Sequence, residues 1–417
     1  MKDRILIISN NVLSRTKNNG KTLYSFFDSL PKDEINQLYF SSETPEIEGY
    51  RYFRINDVNV IKGYYKKTVG GEIFVRKEER KDSCSTSRKL PRNTFTCSVR
   101  DLIWHKHWWT KSLDIWLERI NPNIVFFVAG DTFFSYEICD YIVNKFNCRL
   151  YIYITDDYIL PRKSDFLFGR IRRNHNLLLL RNAIQKVDKL FVVSPMMKQC
   201  YDKLFNINSY VIVNMADELF LKNQKKILND KNTINFVYAG SLYYGRDKTI
   251  KMLIDALTRY NMENKTHACL SIYTNNIPTK KNLKNIEVEG VSKYKGSLNQ
   301  EELKIILNQA DILVFIESFS QKNIEKTRLS LSTKVPEYMS LKKAILAIGP
   351  ANISSIDYLK DISCCVTNPE NIDSQLNILL SSEVKRIEFV NKAYDKYLSN
   401  HNKYAIQDKF LSLLKNE

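Results

Sequence analysis

The chain has 417 residues, 44% of them hydrophobic and 26% charged, with 63 Lys and Arg against 46 Asp and Glu. That is long enough for two domains with separate cores, and no apolar run nears the roughly 20 residues a membrane span needs, which excludes a spanning helix. The 8 Cys are scattered without a C-x-x-C pair or metal-ligand spacing, so a zinc module is excluded and reduced thiols in a cytosolic protein are expected. The opening run after Met1 is too short and too charged for a signal peptide.

Residues 5–9 predict a first, buried strand. A polar loop over 10–21 comes next, ending in Asn18-Asn19-Gly20-Lys21-Thr22, and then a helix over 23–30. Residues 38–40 and 52–55 are shorter strands. From about 62 to 98 no period holds, which predicts a long loop or insertion. Apolar residues at helical spacing resume over 99–120, with Ile103, Trp108, Leu113, Trp116, Leu117 and Ile120 on one face, and Pro122 stops the helix. Strands at 124–129 and 150–154 come after it. The first ends in Gly130-Asp131-Thr132 and the second in Thr155-Asp156-Asp157-Tyr158. Helices over 133–146 and about 165–187, a strand over 189–193, a helix begun by Ser194-Pro195 and a strand over 210–213 complete this half.

A polar stretch over 214–232 marks a boundary. A second βα series then starts with a strand at 234–239, Gly240-Ser241, a loop to Lys248 and a helix over 249–260. Strands are expected at 268–273, 286–288, 312–316 and 344–348, a turn at 295–298, a helix at 300–309 and two helical segments over 383–415. Strand and helix alternate throughout, which predicts an α/β protein of two Rossmann-like parallel-sheet domains facing a central cleft. The expected domains are 1–215, 216–395, and a C-terminal helix in 396–417 packing back on the first. Ligands of such sheets bind outside the carboxyl ends of the strands.

Charge is uneven. Residues 62–111 carry 13 Lys and Arg against 5 Asp and Glu, interleaved with Tyr64, Tyr65, Phe74, Phe95, Trp104, Trp108 and Trp109. That mixture, including Arg88, Lys89 and Arg92, suits an anionic membrane surface or a lipid-diphosphate headgroup better than nucleic acid; the plainer reading is a solvated insertion loop that happens to be basic.

One motif stands out. Residues 328–339 join two apolar runs and read as a hydroxyl- and Lys-bearing loop leading into a helix with Pro336 and Glu337 in its first turn. Free N–H groups there favour an anion, Ser332, Thr333 and Lys334 add donors and charge, and Glu337 can accept from sugar hydroxyls. The parts suit a nucleotide sugar. Arg246 and Lys248, at another helix start, oppose the helix dipole unless an anion is near, and a guanidinium fits a phosphate edge. Asp156, Asp157 and Asp131, at strand ends, are candidate bases on an acceptor hydroxyl; the plainer reading is capping. Asn19, Gly20, Lys21 and Thr22 form a candidate acceptor or phosphate loop without P-loop spacing. His105 and His107 lack further ligands, so no metal site is expected.

With these motifs the chain resembles the GT-B glycosyltransferases, most closely the family 4 type of bacterial polysaccharide loci. The residues that carry the resemblance are Tyr238 to Leu242 leading to Gly245-Arg246-Asp247-Lys248, Lys295 to Leu298 before 310–314, Ser330 to Met339, and Ile345 to Pro350. The resemblance implies that Gly240, Ser241, Arg246, Lys248, Ser332, Thr333 and Lys334 hold a donor diphosphate. It implies Glu337 on ribose hydroxyls, and Tyr273 and Gly296 near the base. Leu329 stands where the family often has a second Glu, with Glu317 or Glu325 as substitutes. The same resemblance implies a retaining, metal-independent enzyme without a cofactor. It would move a sugar from a UDP- or GDP-linked donor to a growing glycan, carried on polyprenyl diphosphate, in surface polysaccharide (capsule) biosynthesis. It would sit in the cytoplasm, against the inner face of the membrane, with no nucleic acid partner. The alternatives are a nucleotide-sugar epimerase of similar fold and a non-catalytic sugar-nucleotide-binding subunit.

Overall fold

The computed structural model describes residues 3–15, 18–66, 69–75, 93–219 and 232–415. They fall into two compact units: Met1–Ile212 together with Gln407–Glu417, and Val213–Ile406. Arg88, Lys89 and Arg92 lie outside the described residues.

The first unit holds strands β1 (Ile5–Ser9), β2 (Ile35–Tyr39), β3 (Arg51–Arg54), β4 (Gly71–Ile73), β5 (Ile124–Ala129), β6 (Arg149–Ile154), β7 (Lys189–Val192) and β8 (Tyr210–Val211). Among the described residues they form one sheet in the order β4-β3-β2-β1-β5-β6-β7-β8. All neighbours are parallel except β4, which runs against β3. β1 is apolar over four consecutive residues because both faces of a central parallel strand are covered. The covering helices are α1 (Asn18–Phe27), α2 (Asp57–Lys66), α3 (Thr94–Trp104), α4 (Lys111–Ile120), α5 (Phe133–Phe146), α6 (Leu167–Ile184) and α7 (Pro195–Phe205). Asn121, Asn147 and Asn206 end α4, α5 and α7 in the left-handed region, at φ 40, 51 and 52°, a role Asn tolerates. Ser194 caps α7 by accepting from the Met197 N–H at 3.1 Å, with Pro195 at the first position.

The second unit holds β9 (Thr233–Ala239), α8 (Arg246–Glu263), β10 (His267–Tyr273), α9 (Lys280–Ile286), β11 (Ser292–Gly296), α10 (Gln300–Gln309), β12 (Ile312–Ile316), α11 (Gln321–Thr327), α12 (Lys334–Met339), β13 (Ala344–Ile348), α13 (Ser354–Leu359), β14 (Cys364–Val366), α14 (Ile372–Ser381) and α15 (Glu383–Asn400). Its sheet is parallel in the order β11-β10-β9-β12-β13-β14. Leu253, Ile254 and Leu257 of α8 pack with Ile272, Val314 and Leu346 in its core.

The final helix, α16 (Lys403–Lys415), starts in the second unit and finishes in the first. There the Phe410 ring lies 5.1 Å from Phe26, 5.2 Å from Phe27 and 5.6 Å from Phe126.

Several sequence expectations are corrected. The helix expected over 99–120 is two, α3 and α4. Lys106 is left-handed at φ 58°, between Trp104 and Trp108; both indoles are buried, so apolar residues run across the break and hide it. The expected loop over 62–98 holds the end of α2, all of β4 and the start of α3 among its described residues. α1 starts at Asn18, so Asn19 to Thr22 are helical rather than loop. In the second unit the strand expected at 286–288 is the end of α9 and a single bridge, and Lys295-Gly296 closes β11 instead of forming a turn.

Candidate functional site

In each sheet the strand order reverses once, and the crevice at such a point is where parallel α/β folds bind ligands. In the second unit the reversal lies between β9 and β12. Past the end of β9 come Gly240 and Ser241, then Tyr244 and Gly245, both left-handed at φ 60 and 72°. This turn delivers Arg246 to the first position of α8. Past the end of β12 stands Glu317. One Arg246 amino group, Nη2, donates to both Glu317 oxygens at 2.8 and 3.0 Å. The Glu317 side chain is only 4% exposed and that of Arg246 17%. Burial raises the Glu317 carboxyl above its ordinary range while Arg246 opposes the rise. Burial works against the Arg246 charge, but Glu317 more than offsets it and its pKa is raised. Arg246 keeps an Nε–H with no hydrogen-bond partner.

This refines the expectation for Arg246. Its charge is balanced by a carboxylate, and Glu317 fixes the guanidinium plane. Lys248 lies exposed on the same turn. Leu329, where a second Glu was sought, is core at 2% exposure. Glu317 meets Arg246 instead, and Glu325 is buried.

The motif at 328–339 also differs in detail. α12 is only six residues long and Thr333, ahead of it, makes no side-chain cap. Three amides of this turn are already engaged. Ser332 N–H donates to Ser355 Oγ at 3.0 Å, Val335 N–H to the Ser332 carbonyl at 3.1 Å and Lys334 N–H to Ser332 Oγ at 3.4 Å. The expected open amide end is therefore partly closed. Thr333 is exposed; Ser332, Lys334 and Glu337 are half-buried. Tyr338, unforeseen, ties α12 to β9: its hydroxyl is 3.4 Å from both the Ala239 N–H and carbonyl. Gly349, past β13, must be small, since a Cβ there would lie 2.7 Å from Glu317 Cβ. Tyr273 and Gly296 end β10 and β11, where the Gly296 carbonyl accepts from Thr274 N–H at 3.0 Å. All the expected donor residues thus sit at the carboxyl ends of this sheet, on α8 and α12, or in the turn just ahead of α12.

In the first unit the order reverses between β1 and β5. A cavity of about 80 Å³ lies there, lined among others by Asn10, Asn19, Asp131, Ser135 and Tyr158. Asn19 and Asp131 are brought together. Lys21, Thr22, Asp156 and Asp157 are not on its wall. Asp157, a candidate base, also serves the local turn. It is buried, and its carboxylate accepts from the Ile159 and Leu160 N–H groups at 3.1 and 2.9 Å, an Asx-turn. Asp156 accepts from Tyr158 hydroxyl at 3.3 Å. Gly20 has a packing reason: a Cβ there would lie 2.1 Å from the Val12 carbonyl oxygen.

A buried pair behind Asp131 leaves no mark in the sequence. Arg172 Nη1 lies 2.6 Å from Asp101 Oδ2, with side chains 9% and 4% exposed. Arg172 also donates to the Asp131 carbonyl, and Asp101 accepts from Phe133 N–H at 2.8 Å. Burial raises the Asp101 carboxyl and Arg172 opposes it. The two residues are far apart in sequence, on helices that give no sign of facing each other. Among the described residues no cluster of metal-ligating side chains is found.

The chain matches solved structures over nearly its whole length. HepE of Anabaena, solved in complex with UDP and glucose, matches at TM-score 0.62 and 10% identity, covering 100% of both chains. The fold is GT-B. An E. coli structure described as trehalose-6-phosphate, bound with UDP-2-fluoro glucose, matches at TM-score 0.64 and 11% identity over 100% of this chain and 99% of that one. WaaG, a glycosyltransferase involved in lipopolysaccharide biosynthesis, matches at TM-score 0.59 and 12% identity over 99% and 100%. No family model matches the chain and no curated protein matches it in sequence. At these identities the likeness is one of fold, and it places this chain among GT-B proteins over its full length.

Proposed function

We propose that the protein is a glycosyltransferase. It moves a sugar from a UDP- or GDP-linked donor to a growing glycan, carried on a lipid diphosphate, in surface polysaccharide biosynthesis at the inner face of the membrane. The observation that supports this most is the buried Arg246–Glu317 pair at the strand-order reversal of the second unit. A guanidinium fixed by one amino group keeps donors for a diphosphate, and a fixed cation stabilises charge growing on the leaving group. Lys248 and Lys334 add charge, Ser241, Ser332 and Thr333 add hydroxyls, and Glu337 takes ribose. Cationic side chains supply the countercharge a metal would bring, which is the basis for metal-independent transfer. Retention of configuration rests on the fold resemblance. In the first unit Asn19 and Asp131 bind the acceptor, and Asp131 is the carboxylate best placed to receive its proton.

The test is thermal unfolding with UDP, GDP and their sugars. A ligand that binds only the folded state at about 100 times its Kd adds about 2.7 kcal/mol, so one nucleotide series should raise Tm while free sugars do not. No shift with any member overturns the reading. A changed nucleotide sugar formed without an acceptor would point to epimerisation instead.

A further inference from the structure

We propose that α2, α3 and the start of α6 form one surface that inserts apolar side chains into an anionic bilayer. The inference rests on the lipid-carried acceptor above and names the face of the protein that meets the membrane.

α3 packs against both α2 and α6. The Arg100 side chain on α3 donates to Asp57 on α2 at 2.7 Å, and the Tyr64 hydroxyl on α2 to the Ile103 carbonyl at 3.0 Å. On the other side Arg172 of α6 reaches Asp101. α3 and α2 each turn an apolar stripe outward. Phe95, Val99 and Leu102 recur at i, i+4 and i+7 on α3, and Val58, Ile61 and Tyr65 at i, i+3 and i+7 on α2. Such stripes normally face a core. Here Tyr65 is 88% exposed, Phe95 77% and Leu102 74%, and Phe166 and Phe168, at the start of α6, are 87% and 78%.

Large apolar side chains left exposed on three adjacent helices point to an interaction site. Its chemistry selects a bilayer. Four of these eight side chains are aromatic and four aliphatic, the mixture that interfacial surfaces bury at the headgroup boundary. Exposed Lys62, Lys106 and Arg170 accompany them, which matches a negative lipid surface. Between β4 and α3 the sequence of residues 76–92 adds seven Lys and Arg against three Asp and Glu, with Leu90 as its one large aliphatic residue, a composition that suits a negative lipid surface. No helix among the described residues is long and apolar enough to cross a membrane, so contact from this face is interfacial.

The experiment is flotation of the full chain with phosphatidylcholine vesicles, with and without phosphatidylglycerol. Wild type should float with the anionic vesicles and much less with the neutral ones. Phe166→Ser with Phe168→Ser should lower partitioning about a hundredfold, at unchanged Tm. Arg170→Glu should weaken only the anionic component. Equal flotation of wild type and the Phe variant overturns the proposal. So does concentration-dependent dimerisation that the Phe variant abolishes, which assigns the face to a second copy of the chain. The nucleotide-induced rise in Tm, read on the same samples, separates the two claims. If it persists while flotation fails, only the membrane face falls. If it is absent while flotation succeeds, the donor reading falls alone.

Discussion

At the scale of single residues the Arg246–Glu317 pair allows binding and stability to be separated. Removing one partner of a buried pair leaves an uncompensated charge, at a cost of about 3–5 kcal/mol. Arg246→Ala should therefore destabilise the second unit as well as stop turnover, and alone would be ambiguous. Glu317→Gln added to Arg246→Ala removes the stranded carboxylate. The double variant should recover most of the lost stability while turnover stays down by roughly 10²–10³, the usual effect of losing one transition-state donor. Denaturation and transfer assays on the same preparations check this; near-normal turnover in the double variant would remove Arg246 from the donor grip. The sequence made Arg246 visible through its place at a helix start. It could not show the pairing, because Glu317 is reached only through sheet order. It also could not tell Asp131 from Asp157. Both come after strands, and only the turn geometry makes Asp157 a cap for Ile159 and Leu160.

At the scale of elements, the strands were legible because a buried parallel strand reads as an unbroken apolar run. β5, β12 and β13 do throughout, β1 over its first four residues and β9 over its last four. Helix starts were harder. α1 begins inside a polar stretch, and its first turn carries Gly20 with a backbone oxygen against the missing side chain. That contact makes a specific prediction. Gly20→Ala gains helix propensity of up to about 1 kcal/mol, yet its methyl would lie 2.1 Å from the Val12 oxygen, so backbone must move. The net effect should be destabilising, and α1 should shift away from the cavity that holds Asn19 and Asp131. Urea unfolding should show lower stability and acceptor KM should rise, with donor binding unchanged. A variant as stable as wild type would mean that the loop yields freely and that the glycine is not required by packing.

At the scale of the molecule, two units with separate cores should unfold as two transitions, each answering to its own lever. Phe410 belongs to the first core although it lies near the end of the chain, among Phe26, Phe27 and Phe126. Phe410→Ala should cost that unit about 3–5 kcal/mol and leave the other transition in place. The lever on the second unit is acid. His401 is fully buried, with Nδ1 2.7 Å from the Asn214 carbonyl and Nε2 2.9 Å from the Tyr358 hydroxyl. Nδ1–H therefore donates and Nε2 accepts, which is the neutral ring. Burial lowers its pKa to about 4; the Asn214 carbonyl works the other way and Lys396 nearby reinforces the drop. Lys396 and Asn400 approach the same Tyr358 from α15. The folded value lies below the unfolded one, so between them the unfolded chain binds more protons. The stability held by neutral His401 is complete above about pH 6.5 and is lost as pH falls from there toward 4. Its size is on the order of 3 kcal/mol. His401→Gln should flatten that slope in the second transition alone, and calorimetry at pH 7 and pH 5 reads both transitions at once. A slope unchanged by the substitution would place the acid sensitivity elsewhere, and a single merged transition moved equally by both changes would mean that the two cores unfold as one.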